Sequence, residues 1–389
     1  MKDKSIIRIL HISNGDDCLG SAQCLYEILK YELSCSNIEP VVLTPKYTGI
    51  NEFCKKNDIE NYVSKYCGFM YPMHDNAAKV KFLLRKAEYY LNKDSSLIKI
   101  KKMIDFKTID IIHTNNSLND IGRRLSLEMN IPHVWHLREG GLFQQNLHPY
   151  FKNFTSYMNT GNVRFIAVSY AVKKEWVKLG IPEKKIEVIY DGVSLPKKVY
   201  TKVPSNRIRF VMTGAYSEIK GQIQVIKAVA QLPEKYRNKI HVDFWGNGVQ
   251  EYVEYLKAEI NNNNLQGTIE LKGFTNNVWE TLSMYDVGLN CTRFEAFGRT
   301  TVEFLISGIP VIASQLGANL ELINENNGLF YKYDNIDDLQ HALEYMVDKV
   351  SNFHAENIAN TAKRLYSCEI SNAKIISFFK RVYKRDGYE

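Results

Sequence analysis

The chain has 389 residues, which is long for one domain and predicts two domains of roughly 150 to 200 residues each. Hydrophobic residues make up 45% and charged residues 24%, which is close to the average for soluble globular proteins and excludes disordered and fibrous classes. The formal net charge of +7 favours an anionic ligand, an anionic membrane surface or nucleic acid, without choosing among them.

The first half of the chain alternates apolar strands with helical segments. Residues 6–13 predict a buried strand, 14–23 a loop, and 24–33 a helix. Further strands are predicted in PVVLTP, DIIHTNN, PHVWHLRE and FIAVS. A helical or polar segment separates each strand from the next. Strands that are apolar on both faces and alternate with helices indicate a parallel sheet covered by helices.

The alternation breaks at YDGVSLPKKVYTKVPSNR and restarts with strands in IRFVMTG, IHVDFWGNG, TIELKGF, DVGLNCT, GIPVIAS and GLFYKY. We therefore predict an α/β fold with two Rossmann-like, doubly wound domains and a ligand cleft between them. The predicted parts are an N-terminal domain at 1–195, a linker at 196–206, a C-terminal domain at 207–370, and a final helix at 371–389 that can return to the first domain.

Membrane spans and disulfides are not expected. No apolar run reaches the roughly 18 to 20 residues that cross a bilayer, and the N-terminus lacks a secretory signal, so we expect a cytoplasmic protein. The seven cysteines are scattered and never spaced CxxC, which argues against a disulfide framework and a zinc site. Reduced thiols are predicted at Cys18, Cys24, Cys35, Cys54, Cys67, Cys291 and Cys368.

The segment TRFEAFGRTTVEFLISGIPVIAS places Glu295 before, and Glu303 inside, a predicted helix that leads into a buried strand. Gly298 permits a sharp turn, and Thr300 and Thr301 are expected to cap the helix. The free N–H groups of a helix start suit a phosphate, which repels carboxylates. The two glutamates are therefore expected to accept hydrogen bonds from ligand hydroxyls; the alternative is an ordinary loop residue and a solvated helix charge.

The pattern E-A-F-G-R-T-T-V-E followed by GIPVIA resembles the E-x7-E signature of retaining GT-B glycosyltransferases of family 4. The resemblance covers nearly the whole chain and implies the GT-B fold, with acceptor binding by the N-terminal domain and donor binding by the C-terminal domain. In that family the first Glu contacts the donor sugar, the Phe-Gly loop presents amides to the sugar and diphosphate, and the second Glu holds the ribose. These donor-binding roles fall on Glu295, Phe297, Gly298, Arg299 or Thr300, and Glu303.

A second donor segment, TGAYSEIKGQIQVIKA, ends a strand at Gly214 and places Lys220 at a predicted helix start. A cation there faces the positive end of the helix dipole and needs an anionic partner or solvent. The resemblance supplies the donor diphosphate as that partner. The family usually has Arg where this chain has Ala215, which leaves Lys220 and Arg299 to neutralise the phosphates. The alternative is a surface lysine.

Candidates in the N-terminal half are weaker. Gly20 resembles the glycine of the family's first loop, where it would help to bind the donor, with an ordinary turn as the alternative. His136 ends a strand where the family places a histidine near the donor sugar, so it is expected to orient the sugar or present its backbone carbonyl. His113 is predicted to be a core or acceptor-site histidine. Arg138 and Glu139 are expected to line the cleft or to form a mutual surface pair.

The resemblance implies a retaining, metal-independent glycosyltransferase without a cofactor, with His136, Glu295 and Lys220 as catalytic residues. Its donor would be a nucleotide-diphosphate sugar, with UDP favoured over GDP, and its acceptor a saccharide or lipid-linked saccharide in cell-surface polysaccharide synthesis. No metal site or nucleic-acid platform is predicted. Two alternatives stay open: a non-catalytic nucleotide-sugar-binding subunit, and an epimerase or hydrolase on the same scaffold.

Residues 79–102 hold eight Lys or Arg against two acidic residues. At helical spacing this pattern predicts an apolar stripe flanked by cations, which is typical of a helix on an anionic membrane surface. The alternative is a solvated basic helix that packs its stripe on the domain core. The apolar residues of the predicted stripe are Phe82, Leu83, Leu84, Tyr90 and Leu91.

Overall fold

The computed structural model of the chain describes residues 6–15, 20–73, 76–140, 146–198 and 200–385. The chain forms two compact units: unit 1 contains residues 1–192 and 368–389, and unit 2 contains residues 193–367. The domain ends predicted from the sequence are 195 and 370, and the predicted linker, 196–206, falls in unit 2.

Unit 1 is built on a parallel sheet. Its strands are β1 (Ile7–Ile12), β2 (Ile38–Thr44), β3 (Glu60–Val63), β5 (Ile111–Thr114), β6 (His133–Leu137), β8 (Val163–Ala167) and β9 (Ile186–Val188), and a separate antiparallel pair is formed by β4 (Met70–Pro72) and β7 (Leu147–Pro149). The seven parallel strands lie in the order β3-β2-β1-β5-β6-β8-β9. The order reverses at β1, as in doubly wound sheets, because the chain first builds one side of the sheet and then the other.

Helices cover this sheet, and the last one comes from the C-terminus. They are α1 (Gly20–Glu32), α2 (Gly49–Lys56), α3 (Asn76–Met103), α4 (Ile121–Met129), α5 (Phe154–Met158), α6 (Tyr170–Lys178) and α15 (Cys368–Arg385). The predicted final helix thus begins at Cys368. It packs Ile375, Phe379 and neighbouring apolar residues into the core under β1 and β5.

Unit 2 repeats the architecture. Its strands are β10 (Ile208–Thr213), β11 (Ile240–Trp245), β12 (Ile269–Gly273), β13 (Val287–Asn290), β14 (Val311–Ser314) and β15 (Gly328–Tyr331). Its helices are α7 (Gln222–Gln231), α8 (Glu234–Arg237), α9 (Gln250–Asn262), α10 (Val278–Leu282), α11 (Arg299–Ile306), α12 (Asn319–Leu322), α13 (Ile336–Lys349) and α14 (Ala355–Tyr366). The parallel strands lie in the order β12-β11-β10-β13-β14-β15, so the order reverses between β10 and β13. Ligands of such sheets bind outside the carboxyl ends of the strands at this reversal.

Two expectations from composition concern membrane spans and thiols. Across the described ranges, none of the helices combines the length and the apolar character that a membrane crossing requires. The cysteines at positions 24, 35, 54, 67, 291 and 368 are not part of disulfides. Cys18, with the rest of 16–19, lies outside the described residues.

Candidate donor site in unit 2

The loops after β10 and β13 bring two predicted site residues together. Lys220 follows β10 and Glu295 follows β13, and Lys220 Nζ lies 3.6 Å from Glu295 Oε2. The lysine side chain is 31% exposed and the glutamate side chain 12% exposed, so a ligand can reach both charges at the edge of the sheet. This pair stands at the position where a doubly wound sheet binds its ligand.

The loop that carries Lys220 is held against the β13 loop by close backbone approach. Lys220 ends a short 3-10 turn and precedes α7, whereas its predicted position is the helix start itself. Gly221, with φ of +82°, joins the two, and a Cβ at this position would lie 2.3 Å from the Cys291 carbonyl oxygen. In addition, the Arg293 N–H donates to the Ile219 carbonyl over 2.9 Å. Glycine is therefore needed beside Lys220 for the two loops to meet.

The backbone of Glu295 is fixed from the next loop. The Ala318 N–H donates to the Glu295 carbonyl over 2.8 Å. A Cβ on Gly317 would lie 2.3 Å from the same carbonyl oxygen, and a Cβ on Gly298 would lie 3.1 Å from Glu295 Cγ. Two glycines from different loops thus make room for the glutamate.

Gly298, with φ of +93°, is the N-cap of α11, which begins at Arg299. The prediction that Thr300 and Thr301 cap this helix is wrong, because both lie within its first turn and the left-handed cap conformation favours glycine. Thr301 is buried, and its Oγ1 accepts a hydrogen bond of 2.6 Å from Asn290 Nδ2. Thr300 is half-buried beside it on the helix.

Asn290 is a site residue that was not predicted from the sequence. It is buried at the end of β13, and its Nδ2 also lies 3.3 Å from Glu295 Oε2. Its Oδ1 accepts a hydrogen bond of 3.3 Å from the Thr292 N–H. One amide therefore ties the strand end to the carboxylate and to α11. The signal in the sequence is a polar residue that closes an otherwise apolar strand, because a buried amide needs partners.

The remaining residues of the E-x7-E pattern take different positions. Glu303 is half-buried on α11; burial raises the pKa of its carboxyl, and the charge of Arg299 partly offsets that rise. Phe297 is buried, and its ring packs against Tyr366 with 6.2 Å between the centroids. The Phe297 side chain thus anchors the loop in the core of unit 2.

Gly214 directly follows β10 and has a φ of +133°. A Cβ at this position would meet no atom within 4 Å, whereas a Cβ on Gly246 would lie 1.8 Å from the Gly214 carbonyl oxygen. The next residue, Ala215, is exposed where the family usually has Arg. Space is therefore open above the strand end at this point.

In unit 1 the structure buries the ring of His136 completely. Its Nδ1 lies 3.3 Å from His113 Nε2 and 3.3 Å from Arg138 Nη2, and His113 Nδ1 lies 2.9 Å from His11 Nδ1. Burial, reinforced by nearby positive charge, lowers the pKa of both His113 and His136 well below the ordinary value. The rings of His113 and His136 are therefore neutral at pH 7 and part of the core of unit 1.

Arg138 and Glu139 are both buried, so the alternative of a mutual surface pair is wrong. Arg138 forms an ion pair with Asp191, and its Nε donates to the Asn115 carbonyl over 2.8 Å. Glu139 Oε2 accepts from the Ser117 N–H over 2.9 Å. Each charge thus has its own partner and fixes a loop at the carboxyl ends of β5 and β6.

Gly20, the weakest of the predicted donor-binding residues, begins α1 and is exposed.

The basic segment forms α3, and the structure divides the predicted apolar stripe between two faces. Phe82 packs edge-on against the Tyr150 ring, at 5.2 Å between centroids, and Tyr89 is buried. Leu84 and Leu91, in contrast, are 66% and 81% exposed. The exposed apolar residues recur at spacings of three, four and seven, which places them on one helix face. This face, the α3 outer stripe, consists of Val80, Leu83, Leu84, Leu91 and Ile98.

Comparison with known proteins agrees with this architecture. The model of the family described as Glycosyltransferase Family 4 matches residues 26–196, and the model described as Glycosyl transferases group 1 matches residues 194–365. HepE of Anabaena, whose structure was solved in complex with UDP and glucose, has a TM-score of 0.75 and 19% identity, covering 96% of this chain and 100% of that chain.

Two curated relatives have named activities. The UDP-Gal:alpha-D-GlcNAc-diphosphoundecaprenol alpha-1,3-galactosyltransferase of Escherichia coli is 25% identical over 287 residues, covering 68% of this chain and 73% of that protein. The poly(glycerol-phosphate) alpha-glucosyltransferase of Bacillus subtilis is 29% identical over 147 residues, which is 36% of this chain and only 21% of that protein. With both halves of the chain matched and the fold shared, this protein belongs to the family 4 glycosyltransferases of GT-B fold.

Proposed function

We propose that this glycosyltransferase is a retaining enzyme that transfers a sugar from a UDP-sugar to a hydroxyl of a saccharide or lipid-linked saccharide in polysaccharide synthesis. The observation that carries the proposal is the Lys220–Glu295 pair beside the start of α11, at the strand reversal of unit 2. A cation and the N–H groups of a helix start suit the diphosphate of a nucleotide sugar, and a carboxylate beside them suits the hydroxyls of its sugar.

The diphosphate, the sugar and the ribose of the donor each have a group of suitable chemistry. The diphosphate would lie on the N–H groups at the start of α11 and attract the Lys220 ammonium away from its carboxylate partner. Glu295 would then be free to accept hydrogen bonds from the sugar hydroxyls, held in place by Asn290. Glu303 is assigned to the ribose hydroxyls. Arg299 would supply the second positive charge for the diphosphate, since this chain has Ala215 where the family usually has Arg.

In the transfer step the acceptor hydroxyl oxygen bonds to the anomeric carbon while the bond from that carbon to the diphosphate oxygen breaks. The hydroxyl proton passes to the departing diphosphate, which keeps the acceptor on the face it leaves and so retains the configuration. Lys220 and the helix N–H groups stabilise the charge that develops on the phosphate, and the protein otherwise acts by positioning. No divalent ion is assigned to this step.

The names of two related proteins support the proposed donor nucleotide and acceptor. The E. coli relative is named for UDP-galactose and a diphosphoundecaprenol-linked acceptor, and the HepE structure holds UDP and glucose. UDP is therefore preferred over GDP as the donor nucleotide, and a lipid-linked saccharide is the preferred acceptor.

The α3 outer stripe supports work at an anionic membrane surface. Five large apolar side chains point to solvent on one face of a long helix, and exposed cations flank them at Lys79, Lys81, Lys99 and Lys102. Each basic residue near such a surface contributes about 1 kcal/mol, and the apolar side chains add burial in the headgroup region. We assign anionic lipid headgroups as the partner, because the flanking charge is positive.

Thermal stabilisation by a panel of nucleotide sugars tests the donor assignment, since a ligand of the native state raises the unfolding midpoint. UDP-sugars are expected to raise the midpoint more than GDP-sugars, and an unchanged midpoint with every nucleotide sugar would contradict the assignment. With the best donor, turnover by the isolated chain separates a transferase from a non-catalytic subunit. Nuclear magnetic resonance of the product then shows whether the anomeric configuration is retained or inverted.

A further inference from the structure

Three side chains with metal-binding atoms converge on one face of the unit 2 sheet. His241 and Asp243 are two positions apart on β11 and therefore face the same side of the sheet. Glu270, on the edge strand β12, is the register partner of Asp243. His241 Nε2 lies 3.1 Å from Asp243 Oδ1 and 3.9 Å from Glu270 Oε1. One atom from each residue lies within 4.8 Å of the other two, which is close enough for a shared ion.

The carboxylate oxygens of these ligands that point away from the proposed ion have hydrogen-bond partners of their own. Tyr285 Oη donates to Asp243 Oδ2 over 2.6 Å, and Trp245 Nε1 donates to the same Tyr285 oxygen over 2.7 Å. Such outer partners are the usual means by which proteins orient metal ligands, because they fix the direction of the atoms that would bind the ion. In the absence of an ion, His241 Nε2 and Asp243 Oδ1 hydrogen-bond each other.

The second carboxylate, Glu270, is held in the same way, since Lys272 Nζ lies 2.9 Å from Glu270 Oε2 and leaves Oε1 turned toward His241. Asp243 is buried, whereas the side chains of His241 and Glu270 are 19% and 46% exposed. An ion can therefore enter from the surface, and water can complete its coordination shell.

We propose that His241, Asp243 and Glu270 bind a first-row divalent metal ion, with Zn²⁺ as the best match. One imidazole nitrogen and two carboxylate oxygens, with an open position for water, form a donor set that zinc accepts. The ion would cross-link the edge strand β12 to β11. His241 lies at the amino-terminal end of β11, whereas the donor loops follow carboxyl ends of strands, so this site is separate from the proposed transfer step.

No metal site was predicted from the sequence, because the expected signals were cysteine pairs and Asp-x-Asp. The ligands here are a His-x-Asp pair and a glutamate on another strand, which only the pairing of β11 with β12 brings together. The pattern in the sequence, HVDFW followed by TIELK, does not differ from that of two ordinary strands.

Titration of untagged protein with Zn²⁺ by calorimetry and with Co²⁺ by visible absorption tests the site. We expect one ion per chain. Both His241→Ala and Glu270→Gln remove a ligand and should lower the affinity by more than the about 10- to 100-fold that the loss of an outer partner costs. Tyr285→Phe, which removes no ligand but frees Asp243, is expected to weaken binding as well. His341→Ala, an exposed histidine of the same unit, is the matched control and should bind as the wild type does.

Two results would overturn the proposal. One is the absence of stoichiometric binding to the wild type. The other is binding that persists in both His241→Ala and Glu270→Gln. Glu270 lies on an exposed edge strand, so the Glu270→Gln variant is expected to fold, and its circular dichroism spectrum verifies this independently of binding.

Discussion

Asn290 Nδ2 lies 3.3 Å from Glu295 Oε2, so a buried amide at the end of β13 holds the carboxylate that we assign to the donor sugar. The same nitrogen donates to Thr301 on α11 over 2.6 Å. One side chain thus fixes the carboxylate, the strand end and α11, the helix that we propose to bind the phosphates. We therefore expect Asn290 to act as a positioning residue for the transfer reaction.

Asn290→Asp is expected to lower turnover while UDP affinity changes little. The new carboxylate would repel Glu295 and turn it from the sugar, at a cost of about 1.5 to 3 kcal/mol, or roughly 10- to 100-fold in rate. Steady-state kinetics with saturating donor measures the effect. Asn326→Asp, at an exposed position, is the control. Wild-type turnover in a folded Asn290→Asp variant would remove Asn290 from the site.

Lys220→Ala is expected to reduce turnover even at saturating acceptor, because the departing diphosphate loses its charge-assisted hydrogen bonds. Lys227→Ala on the exposed face of α7 is the matched control. EDTA is expected to leave turnover unchanged in the wild type and in His241→Ala. An EDTA-sensitive rate that manganese restores in both proteins would show that a metal ion, and not Lys220, clamps the phosphates.

Co-sedimentation with vesicles tests the α3 outer stripe. Binding to anionic vesicles at low salt is expected, with little binding to neutral vesicles and a decrease as salt screens the charges. Leu84→Ser with Leu91→Ser should weaken it, as should Lys81→Gln with Lys99→Gln and Lys102→Gln. Val249→Ser, an exposed apolar residue of unit 2, is the control. If the wild type does not bind anionic vesicles, the preferred acceptor becomes a soluble saccharide.

Unit 1 is expected to lose stability in mild acid. Burial lowers the pKa of His113, His133 and His136 well below the ordinary value of 6.5, so the unfolded chain binds more protons than the folded chain. Above pH 6.5 these histidines are neutral in both states and do not lower the free energy of unfolding. As the pH drops below 6.5, the unfolded chain takes up protons that the folded chain does not, and the free energy of unfolding falls by up to about 1.4 kcal/mol per pH unit for each histidine. Urea unfolding at pH 7.5 and pH 5.5 should show a lower midpoint in acid; equal midpoints would contradict this account.

The sequence predicts the parallel sheets well because their strands are apolar on both faces. IRILHI and IRFVMT have the pattern of buried strands, and they form β1 and β10. The short β3, ENYV, was missed because it lies at a sheet edge, where partly exposed residues carry no such pattern.

Contacts between distant segments could not be predicted in the same way. The predicted apolar stripe of α3 contains both Phe82 and Leu83, but adjacent residues of a helix face different directions. Apolar residues surround much of this helix, so the pattern does not show which of them the fold buries. The contact of Asn290 with Glu295 likewise depends on how the loop after β13 folds back. The N-cap position of Gly298 was missed because threonine is a common cap and the left-handed turn is visible only in the backbone.

Calorimetric titration with UDP tests the central claim, that unit 2 binds the donor nucleotide through the loops after β10 and β13. The wild type should bind one UDP per chain, and Glu303→Gln should weaken binding roughly 10- to 100-fold, because a charged hydrogen bond is worth about 1.5 to 3 kcal/mol. Glu295→Gln should keep its UDP affinity and lose turnover, and the exposed Glu325→Gln should match the wild type in both. Unchanged UDP affinity in Glu303→Gln would contradict the assignment.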